Sequence, residues 1–415
     1  MNSRQEQLVS KLNAIKFKEL EEYHFGPSLV LLLDYYNVKQ CGYSKLWNYP
    51  TYNDAYQVRK RTGNVMFLFS TSYKGRRDLE KCFLNAANLM QNKIIVMPVR
   101  AKLCREFSVK EKALMGIWVL QMGKTSLSFK EKIFCANLLM SGKRNLKRIV
   151  ELIKENKIRS VVTLADVHMI DYLATAYCNM HGIKTVTLQH GFFPLGDPFF
   201  RYSESKYFLT YGEYTKKIAN RTKRGKGNFI AVGMPEYIGE KAIEKREIKK
   251  RKSFLVLLNG SSPEEHSNNC NMLKICTEFA NSSNCAFGVL PHPDSREAYL
   301  KEYRKIASNW GNFVKIKADA LELLDNYNFC VANATTMSLK AVHELIPVLL
   351  YCKKGCAPFY QYKLERLYFS NYLEFERSTT YLLEHNIEDI LIELRDYLCG
   401  SGDIAKNYLH FYAEL

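Results

Sequence analysis

The sequence predicts an α/β protein with two domains, each a doubly wound parallel sheet, and three observations support this class. The chain has 415 residues, more than one hydrophobic core usually organises, so two domains are expected. Short apolar runs alternate with segments of helical period, which is the pattern of parallel sheets covered by helices. A basic segment with few apolar residues, 239–252, separates two blocks of this pattern. We therefore expect two sheets that face one another across a cleft, with 239–252 as the linker.

The first predicted domain covers residues 1–238 and contains a helical insertion. Residues 1–22 have the pattern of an amphipathic helix. The apolar run Ser28–Tyr35 lies between Gly26-Pro27 and Asn37, which is typical of a buried parallel strand. Residues 109–157 are helical in pattern throughout, and they form the insertion. The other expected strands are 65–69, 94–99, 160–164, 184–188, 207–210 and 229–232. The other expected helices are 78–90, 169–180 and a Lys-rich helix between the last two strands.

The second predicted domain covers residues 253–400 and repeats the strand–helix alternation, and a C-terminal helix is expected over 401–415. Its expected strands are 254–258, 286–290, 313–316, 329–332 and 348–351. Its expected helices are 264–280, 295–308, 319–326 and 335–345.

Composition favours a cytoplasmic globular protein. Hydrophobic residues make up 47% and charged residues 25% of the chain, which argues against a disordered chain. The twelve cysteines include no CxxC pair, so reduced thiols are expected rather than a zinc ribbon. Residues 1–22 carry no apolar signal core, and no run of about 18 apolar residues occurs.

The net charge of +18 predicts an anionic partner. Two clusters carry much of this charge: Lys216, Lys217, Arg221, Lys223, Arg224 and Lys226, then Lys245, Arg246, Lys249, Lys250, Arg251 and Lys252. No nucleic-acid-binding motif accompanies them, so the inner face of an anionic membrane or a polyanionic acceptor fits better than specific nucleic acid. A solvated surface without a partner stays an open alternative.

A histidine directly follows the strand at 184–188, in the segment Gln189-His190-Gly191. The glycine lets backbone approach a ligand closely, and an imidazole can act as acid or base near neutral pH. Asp166 follows the preceding strand and is expected at the same sheet edge, where it could accept a proton from an acceptor hydroxyl. His190 and Asp166 are therefore the two candidate bases; a structural histidine and a helix-capping aspartate stay open.

A second histidine lies between two prolines, in Leu290-Pro291-His292-Pro293. The prolines fix the chain direction, so the imidazole of His292 is held in a set orientation, suited to donate to a phosphate oxygen. Asp294 and Ser295 are expected to cap the next helix. A plain turn into that helix is the alternative.

Three hydroxyl residues, Thr335, Thr336 and Ser338, open the helix that follows the strand at 329–332. A helix N-terminus offers free N–H groups and a partial positive charge, which suit a phosphate. Ordinary capping needs only one such residue, so three favour phosphate binding.

Two further segments are candidates for the same cleft. The loop Asn259-Gly260-Ser261 follows the first strand of the second domain, where it could hold a phosphate or an acceptor. Glu344 lies about two turns into the helix from Thr336, where a carboxylate could reach a ribose.

Several common signatures are absent. The sequence has no GxxxxGK[ST] loop, no GxGxxG, no GxSxG and no Asp-x-Asp pair of metal-binding carboxylates. A metal-independent mechanism without a cofactor is therefore expected.

Taken together, these motifs resemble those of the two-domain GT-B glycosyltransferases of bacterial surface polysaccharides. The resemblance rests on three motifs: Gln189-His190-Gly191, His292-Pro293, and the helix start Thr335–Ser338 before Ile346-Pro347-Val348. The resemblance is to the sialyl- and polysialyltransferases, the capsule Kdo transferases and the CDP-glycerol glycerophosphotransferases. The acidic pair before glycine of the sialyltransferases is absent, whereas His190-Gly191 matches the histidine–glycine pair of the glycerophosphotransferases. The motifs cover roughly residues 160–350.

The resemblance implies a fold of two Rossmann-like domains and a transferase that uses a CMP- or CDP-linked donor. It implies that His292, Pro293, Thr335, Thr336 and Ser338 bind the donor phosphate, and that the first domain holds the acceptor near Gln189 and Gly191. The product would be a capsule or lipopolysaccharide glycan carrying sialic acid, Kdo or a polyol phosphate. A UDP-sugar glycosyltransferase, a pyruvyl transferase or a nucleotide-sugar epimerase of the same architecture stays open, as does a non-catalytic basic polymer-binding protein.

Overall fold

The protein forms two parallel-sheet units, seen in a computed structural model. The structure describes residues 3–35, 38, 56–60, 63–70, 77–98, 107–166, 169–193, 200, 202–222, 227–240, 253–260, 263–293, 295–315, 320–333, 335–353 and 365–415. Ser261, Asp294 and nearly all of the predicted linker 239–252 lie outside these ranges.

The first sheet has seven strands in the order β1-β3-β2-β4-β5-β6-β7. They are β1 Tyr56–Lys60, β2 Val65–Leu68, β3 Lys93–Pro98, β4 Ser160–Thr163, β5 Lys184–Leu188, β6 Tyr207–Thr210 and β7 Asn228–Ala231. All neighbours are parallel except β1, which pairs antiparallel with β3 at the edge. Strands β2, β4 and most of β5 are buried, as expected for a sheet covered by helices on both faces.

The second sheet has six parallel strands in the order β10-β9-β8-β11-β12-β13. They are β8 Phe254–Leu257, β9 Phe287–Leu290, β10 Gly311–Phe313, β11 Phe329–Ala332, β12 Val348–Tyr351 and β13 Tyr368–Phe369. Counted from β8, this is the 3-2-1-4-5-6 order of a Rossmann domain, whose strand order reverses between β8 and β11. The loops after β8 and β11 therefore lie beside the crevice where such sheets bind ligands.

Fourteen α-helices lie within the described part of the chain. They are α1 Ser3–Asn13, α2 Gly26–Tyr35, α3 Arg77–Leu89, α4 Val109–Gln121, α5 Phe129–Glu155, α6 Met169–Met180, α7 Glu213–Thr222, α8 Pro263–Ser283, α9 Glu297–Ala307, α10 Ala320–Leu324, α11 Thr336–His343, α12 Tyr372–Glu384, α13 Glu388–Cys399 and α14 Ile404–Tyr412. The insertion predicted over 109–157 corresponds to α4 and α5, each of which begins with a serine–glutamate capping box.

One predicted strand is wrong. The run Ser28–Tyr35 belongs to helix α2, whose core-facing side packs with α1, α5 and α6. A short run of uninterrupted apolar residues fits a buried helix as well as a buried strand, so periodicity does not separate the two. Pro27 near the start of α2 is compatible with a helix, because its missing N–H would have no partner in the first turn.

The chain returns to the first sheet at its end. Helix α14 packs against α3, and the Tyr412 hydroxyl donates to the carbonyl of Ala86 at 3.0 Å. Between α13 and α14 the chain passes close to the backbone of the first unit at Gly400, where φ is +100°. A Cβ on Gly400 would lie 2.5 Å from the Cα of Gly233. Only glycine combines that backbone angle with so close a backbone approach. Helix α13, which ends directly before Gly400, contacts both α7 in the first unit and α11 in the second, and so joins the two units.

Candidate functional site

The candidate site lies where the loop after β5 meets the start of α11. The backbone N–H of Phe192 donates to the Thr336 hydroxyl oxygen at 3.2 Å. A Cβ placed on Gly191 would lie 3.6 Å from the same oxygen. The structure thus brings the predicted histidine–glycine segment of the first sheet into contact with the predicted hydroxyl cluster of the second.

His190 is held in one orientation by its own sheet. Its Nδ1 lies 2.8 Å from the carbonyl oxygen of Leu164, at the end of the neighbouring strand β4. Because a carbonyl only accepts, Nδ1 carries the hydrogen, and Nε2 is the basic nitrogen of the neutral ring. The ring is half-buried and meets Phe193 edge-on, with ring centroids 5.6 Å apart. This arrangement suits a general base whose Nε2 is fixed in direction.

Gln189, predicted on the acceptor side, holds the loop instead. Its side chain is buried, its Nε2 donates to the carbonyl of Gly191, and its Oε1 accepts from the N–H of Tyr211, each at 2.7 Å. The two ends of the amide therefore tie the backbone of Gly191 to the backbone of Tyr211, directly after β6. Gly191 itself lies on the cleft side, against Thr336.

Asp166 is enclosed by the 203–205 segment of its own unit. It is fully buried, and its Oδ2 accepts hydrogen bonds of 2.7 Å from Ser203 Oγ and from the N–H groups of Glu204 and Ser205. Burial raises the pKa of this carboxyl, and the three donors oppose that rise. The prediction that Asp166 takes a proton from an acceptor is disfavoured, because the side chain is fully buried and Oδ2 already accepts three hydrogen bonds.

The three hydroxyls at the start of α11 have three different positions. Thr335 is the N-cap, and its side chain accepts from the N–H of Met337 at 3.4 Å. Ser338 is fully buried, and its hydroxyl donates to the Thr335 carbonyl at 2.6 Å. Only Thr336 turns its oxygen toward the first sheet. Of the three expected phosphate donors, Ser338 uses its O–H within the helix, whereas Thr335 and Thr336 accept and keep an O–H that can donate.

The loop after β8 is tied to the helix that follows it. Asn259 donates from its backbone N–H to Asn269 Oδ1 at 3.2 Å, and its carbonyl accepts from Asn269 Nδ2 at 2.8 Å. A Cβ on Gly260, where φ is +50°, would lie 1.9 Å from Glu265 Oε2. A carboxylate this close to Gly260 disfavours phosphate there. Asn259 and Gly260 are thus poorer phosphate candidates than the start of α11, and Ser261 lies outside the described residues.

His292 lies in a turn between β9 and α9, and it is half-buried, while Pro293 is exposed. Its carbonyl accepts from the N–H of Ser295 at 3.0 Å, which closes the turn. The predicted capping by Ser295 is wrong: the N-cap of α9 is Arg296, without a side-chain hydrogen bond. The other predicted cap, Asp294, is outside the described residues.

Glu344 lies at the far end of α11 from Thr336, as its C-cap residue. Its Oε1 is 2.9 Å from Nδ1 of His343, and both side chains are buried. His343 stacks on Tyr237, and nearby Lys340 pairs with Glu236 at 2.7 Å. Eight helical residues span about 12 Å, so Glu344 belongs to a junction between the two units rather than to the start of the helix.

Sequence reasoning missed Phe192, Glu236 and Lys340, which join the two units. No local motif marks them, because each is identified only by a partner more than a hundred positions away.

The basic clusters are only partly described. Lys216 pairs with Glu213 at 2.7 Å, and the Lys217 ammonium lies 4.8 Å from the Tyr397 ring centroid, so both have local partners. The cluster from 245 to 252 lies outside the described residues. Among the helices that the structure describes, none combines the length and the apolar character needed to cross a bilayer.

Comparison with known proteins reveals the fold. No family model matches the chain, and no curated protein sequence matches it. Among solved structures, the UDP-GlcNAc 2-epimerase of Neisseria meningitidis bound to UDP-GlcNAc matches with a TM-score of 0.51 and 13% identity, covering 85% of this chain and 100% of that one. The Methanocaldococcus jannaschii UDP-GlcNAc 2-epimerase matches with a TM-score of 0.52 and 13% identity, covering 85% of this chain and 99% of that one. S. aureus MnaA with UDP matches with a TM-score of 0.51 and 10% identity, covering 85% of this chain and 96% of that one. The expected fold of two Rossmann-like domains in a GT-B arrangement is therefore confirmed.

Proposed function

We propose that this protein is a GT-B transferase that moves a sugar or a polyol phosphate from a nucleotide-linked donor to a glycan acceptor. The observation that carries the proposal is the contact of the His190–Phe192 loop with Thr336 at the start of α11. This contact supports the proposal because it brings the loop of the candidate base His190 to the helix start proposed to bind phosphate. A two-substrate transfer requires this pairing, since acceptor and donor must meet there.

The proposed roles follow from the chemistry of the His190 loop in the first unit and of the start of α11 in the second. Nε2 of His190 accepts the proton of the acceptor hydroxyl, because Nδ1 is committed to Leu164. The N–H of Thr336, the first residue of α11, and its hydroxyl stabilise the negative charge of the leaving nucleotide phosphate, since the N–H groups of Met337 and Ser338 donate to Thr335. We assign His292, at the end of β9 and two strands away from β11, as a further donor to the same phosphate. Neither role needs a metal ion.

The proposed donor is cytidine-linked: CMP-sialate or CMP-Kdo for a sugar, CDP-glycerol for a polyol phosphate. Support comes from the resemblance of the three motifs to the transferases that use these donors. The acceptor is a glycan of capsule or lipopolysaccharide, reached from the cytoplasmic face of the membrane. The net charge of +18 supports attraction to that anionic surface.

A thermal-shift series tests the donor class. Purified protein is heated alone and with CMP, CDP, UDP, GDP or ADP, since a ligand that prefers the folded state raises its stability. We expect stabilisation by CMP or CDP above the other three. A shift with UDP or GDP alone overturns the cytidine donor, and the absence of any shift contradicts the nucleotide-binding cleft.

A histidine pair tests the base. In His190→Asn the amide can still donate to Leu164, but the basic nitrogen is gone, so we expect a correctly folded protein with turnover lowered roughly 100-fold or more. His181→Asn is the matched control, because Nδ1 of His181 makes the same 2.8 Å contact to a backbone carbonyl, that of Tyr177, in the turn after α6. Equal turnover in both variants would remove His190 from the mechanism.

A nucleotide-sugar epimerase is the second candidate, favoured by the match of 85% of this chain to the epimerase structures. Such an enzyme needs no acceptor. Incubation of donor with and without a glycan acceptor separates the two: a transferase releases nucleotide in step with product glycan, whereas an epimerase converts the donor to an isomer without any acceptor.

A further inference from the structure

A mixed group of potential metal ligands lies in the second sheet's helical layer, away from Thr336. We define the His266 cluster as His266 and Cys270 on α8 together with Glu302 on α9. The ligand atoms of all three lie within 4.8 Å of one another. Among the described residues, it is the one such group of three or more.

The helices bring these side chains together for simple reasons. His266 and Cys270 are four positions apart on α8, so they lie one turn apart on the same face. Helix α9 packs along α8 and supplies Glu302. The ring of His266 stacks on Tyr299, also on α9, with centroids 3.8 Å apart and planes within 8°. This stacking fixes the imidazole before any ligand arrives.

The distances within the cluster fit a tetrahedral ion. His266 Nε2 lies 3.0 Å from Glu302 Oε2, Cys270 Sγ lies 3.6 Å from Glu302 Oε1, and Sγ lies 3.8 Å from His266 Nε2. Around a tetrahedral zinc ion, with bonds of about 2.0–2.3 Å, neighbouring ligand atoms are roughly 3.3–3.6 Å apart. Sγ also lies 3.8 Å from Nδ1 of His266, so side-chain rotations are needed to bring Nε2, Sγ and one carboxylate oxygen of Glu302 onto one ion.

We propose that His266, Cys270 and Glu302 form a zinc-binding site with three protein ligands and a fourth position for water. A thiolate, an imidazole and a carboxylate select a borderline-soft ion such as Zn²⁺ or Co²⁺ over Mg²⁺ and Ca²⁺, which prefer oxygen alone. The site is accessible, because the Glu302 side chain is 53% exposed while Cys270 is buried beneath it. Binding releases the thiol proton and forms the Zn–S bond.

The surroundings also provide the support that metal-bound histidines require. Nδ1 of His266 lies 3.1 Å from the Tyr303 hydroxyl, so with metal on Nε2 the other ring nitrogen donates to that oxygen. The same hydroxyl accepts from Asn269, whose amide holds both backbone groups of Asn259. The ion would thus rigidify the loop after β8, beside the crevice of the second sheet.

Cobalt titration of metal-free full-length protein tests the site. We expect one Co²⁺ per chain, with the visible bands of a tetrahedral ion and a near-ultraviolet thiolate-to-cobalt band, and displacement by Zn²⁺. Cys270→Ser should abolish the thiolate band, and both Cys270→Ser and Glu302→Gln should weaken Zn²⁺ binding at least about 100-fold. Cys285→Ser, which alters a half-buried thiol outside the cluster, should leave the spectrum unchanged.

Two results would overturn the proposal. One is wild-type protein that takes up no stoichiometric Co²⁺. The other is a Cys270→Ser or Glu302→Gln variant that binds Co²⁺ with the wild-type affinity, which would place the ion elsewhere. Because Glu302 is largely exposed, Glu302→Gln is expected to fold normally, and it keeps the test decisive even if Cys270→Ser is unstable.

Discussion

The hydrogen bond between Phe192 and Thr336 can be removed almost without changing shape, by Thr336→Val. The variant replaces the Oγ1 that accepts from the Phe192 N–H at 3.2 Å with a methyl group. A hydrogen bond of this kind contributes about 0.5–1.5 kcal/mol net, and both residues are half-buried, so water satisfies part of the loss. We expect the free energy of unfolding to fall by about 1 kcal/mol in urea titrations. Because the Glu236–Lys340 pair and helix α13 also join the two units, the radius of gyration in small-angle scattering should keep its wild-type value.

Thr277→Val is the matched control. Thr277 is equally half-buried and makes one hydrogen bond, from its hydroxyl to the Ile306 carbonyl at 3.2 Å, within the second unit alone. It should lose a similar free energy of about 1 kcal/mol and keep the wild-type radius of gyration. If Thr336→Val instead kept the wild-type free energy of unfolding while Thr277→Val was destabilised, the Phe192–Thr336 bond would not stabilise the protein.

Two further predictions concern pH. Burial, and then the nearby charge of Asp166, hold the pKa of Asp171 well above its ordinary 3.8. Protonated Asp171 therefore stabilises the folded protein at low pH, and this contribution to the free energy of unfolding is lost as the pH rises through the folded-state pKa. Asp171→Asn should therefore lose less unfolding free energy than wild type as the pH rises above 3.8; an identical pH profile would contradict this. Conversely, the guanidinium of Arg144 lowers the pKa of Glu111 from 4.5 to about 2, so this stabilisation is present above pH 4.5 and is lost as pH falls toward 2. Arg144→Met should flatten the acid side of the stability curve, and a steeper acid loss in the variant would refute the assignment.

Much of the fold could be predicted from local patterns. Helix α6 and strands β5, β6, β11 and β12 lie at the predicted positions, because each combines an uninterrupted apolar or periodic segment with clear turn residues at its ends. Strands β1 and β13 were not predicted: β1 is an antiparallel edge strand and β13 has only two residues. Ser28–Tyr35 was misassigned because its apolar run lacks any period.

The candidate site was less predictable than the sheets. The sequence marks His190 and Thr336 as chemically suitable, and strand-end placement puts each at an edge. Their contact depends on how two sheets are oriented, which no local pattern encodes. For the same reason, the enclosure of Asp166 by the 203–205 segment could not be foreseen, since the donors lie almost forty positions away.

The return of α14 to the first sheet has a consequence for synthesis on the ribosome. Tyr412 packs edge-on against Phe67, and Phe411 against Tyr207, so the first domain is completed by residues near position 410. Domains usually fold in order as the chain emerges, at about 5–20 residues per second. After residue 240 the remaining stretch of about 175 residues takes roughly ten to thirty seconds to appear. During that interval the aromatic surface around Phe67 and Tyr207 is uncovered, and a nascent chain of this protein is then a natural client for chaperones.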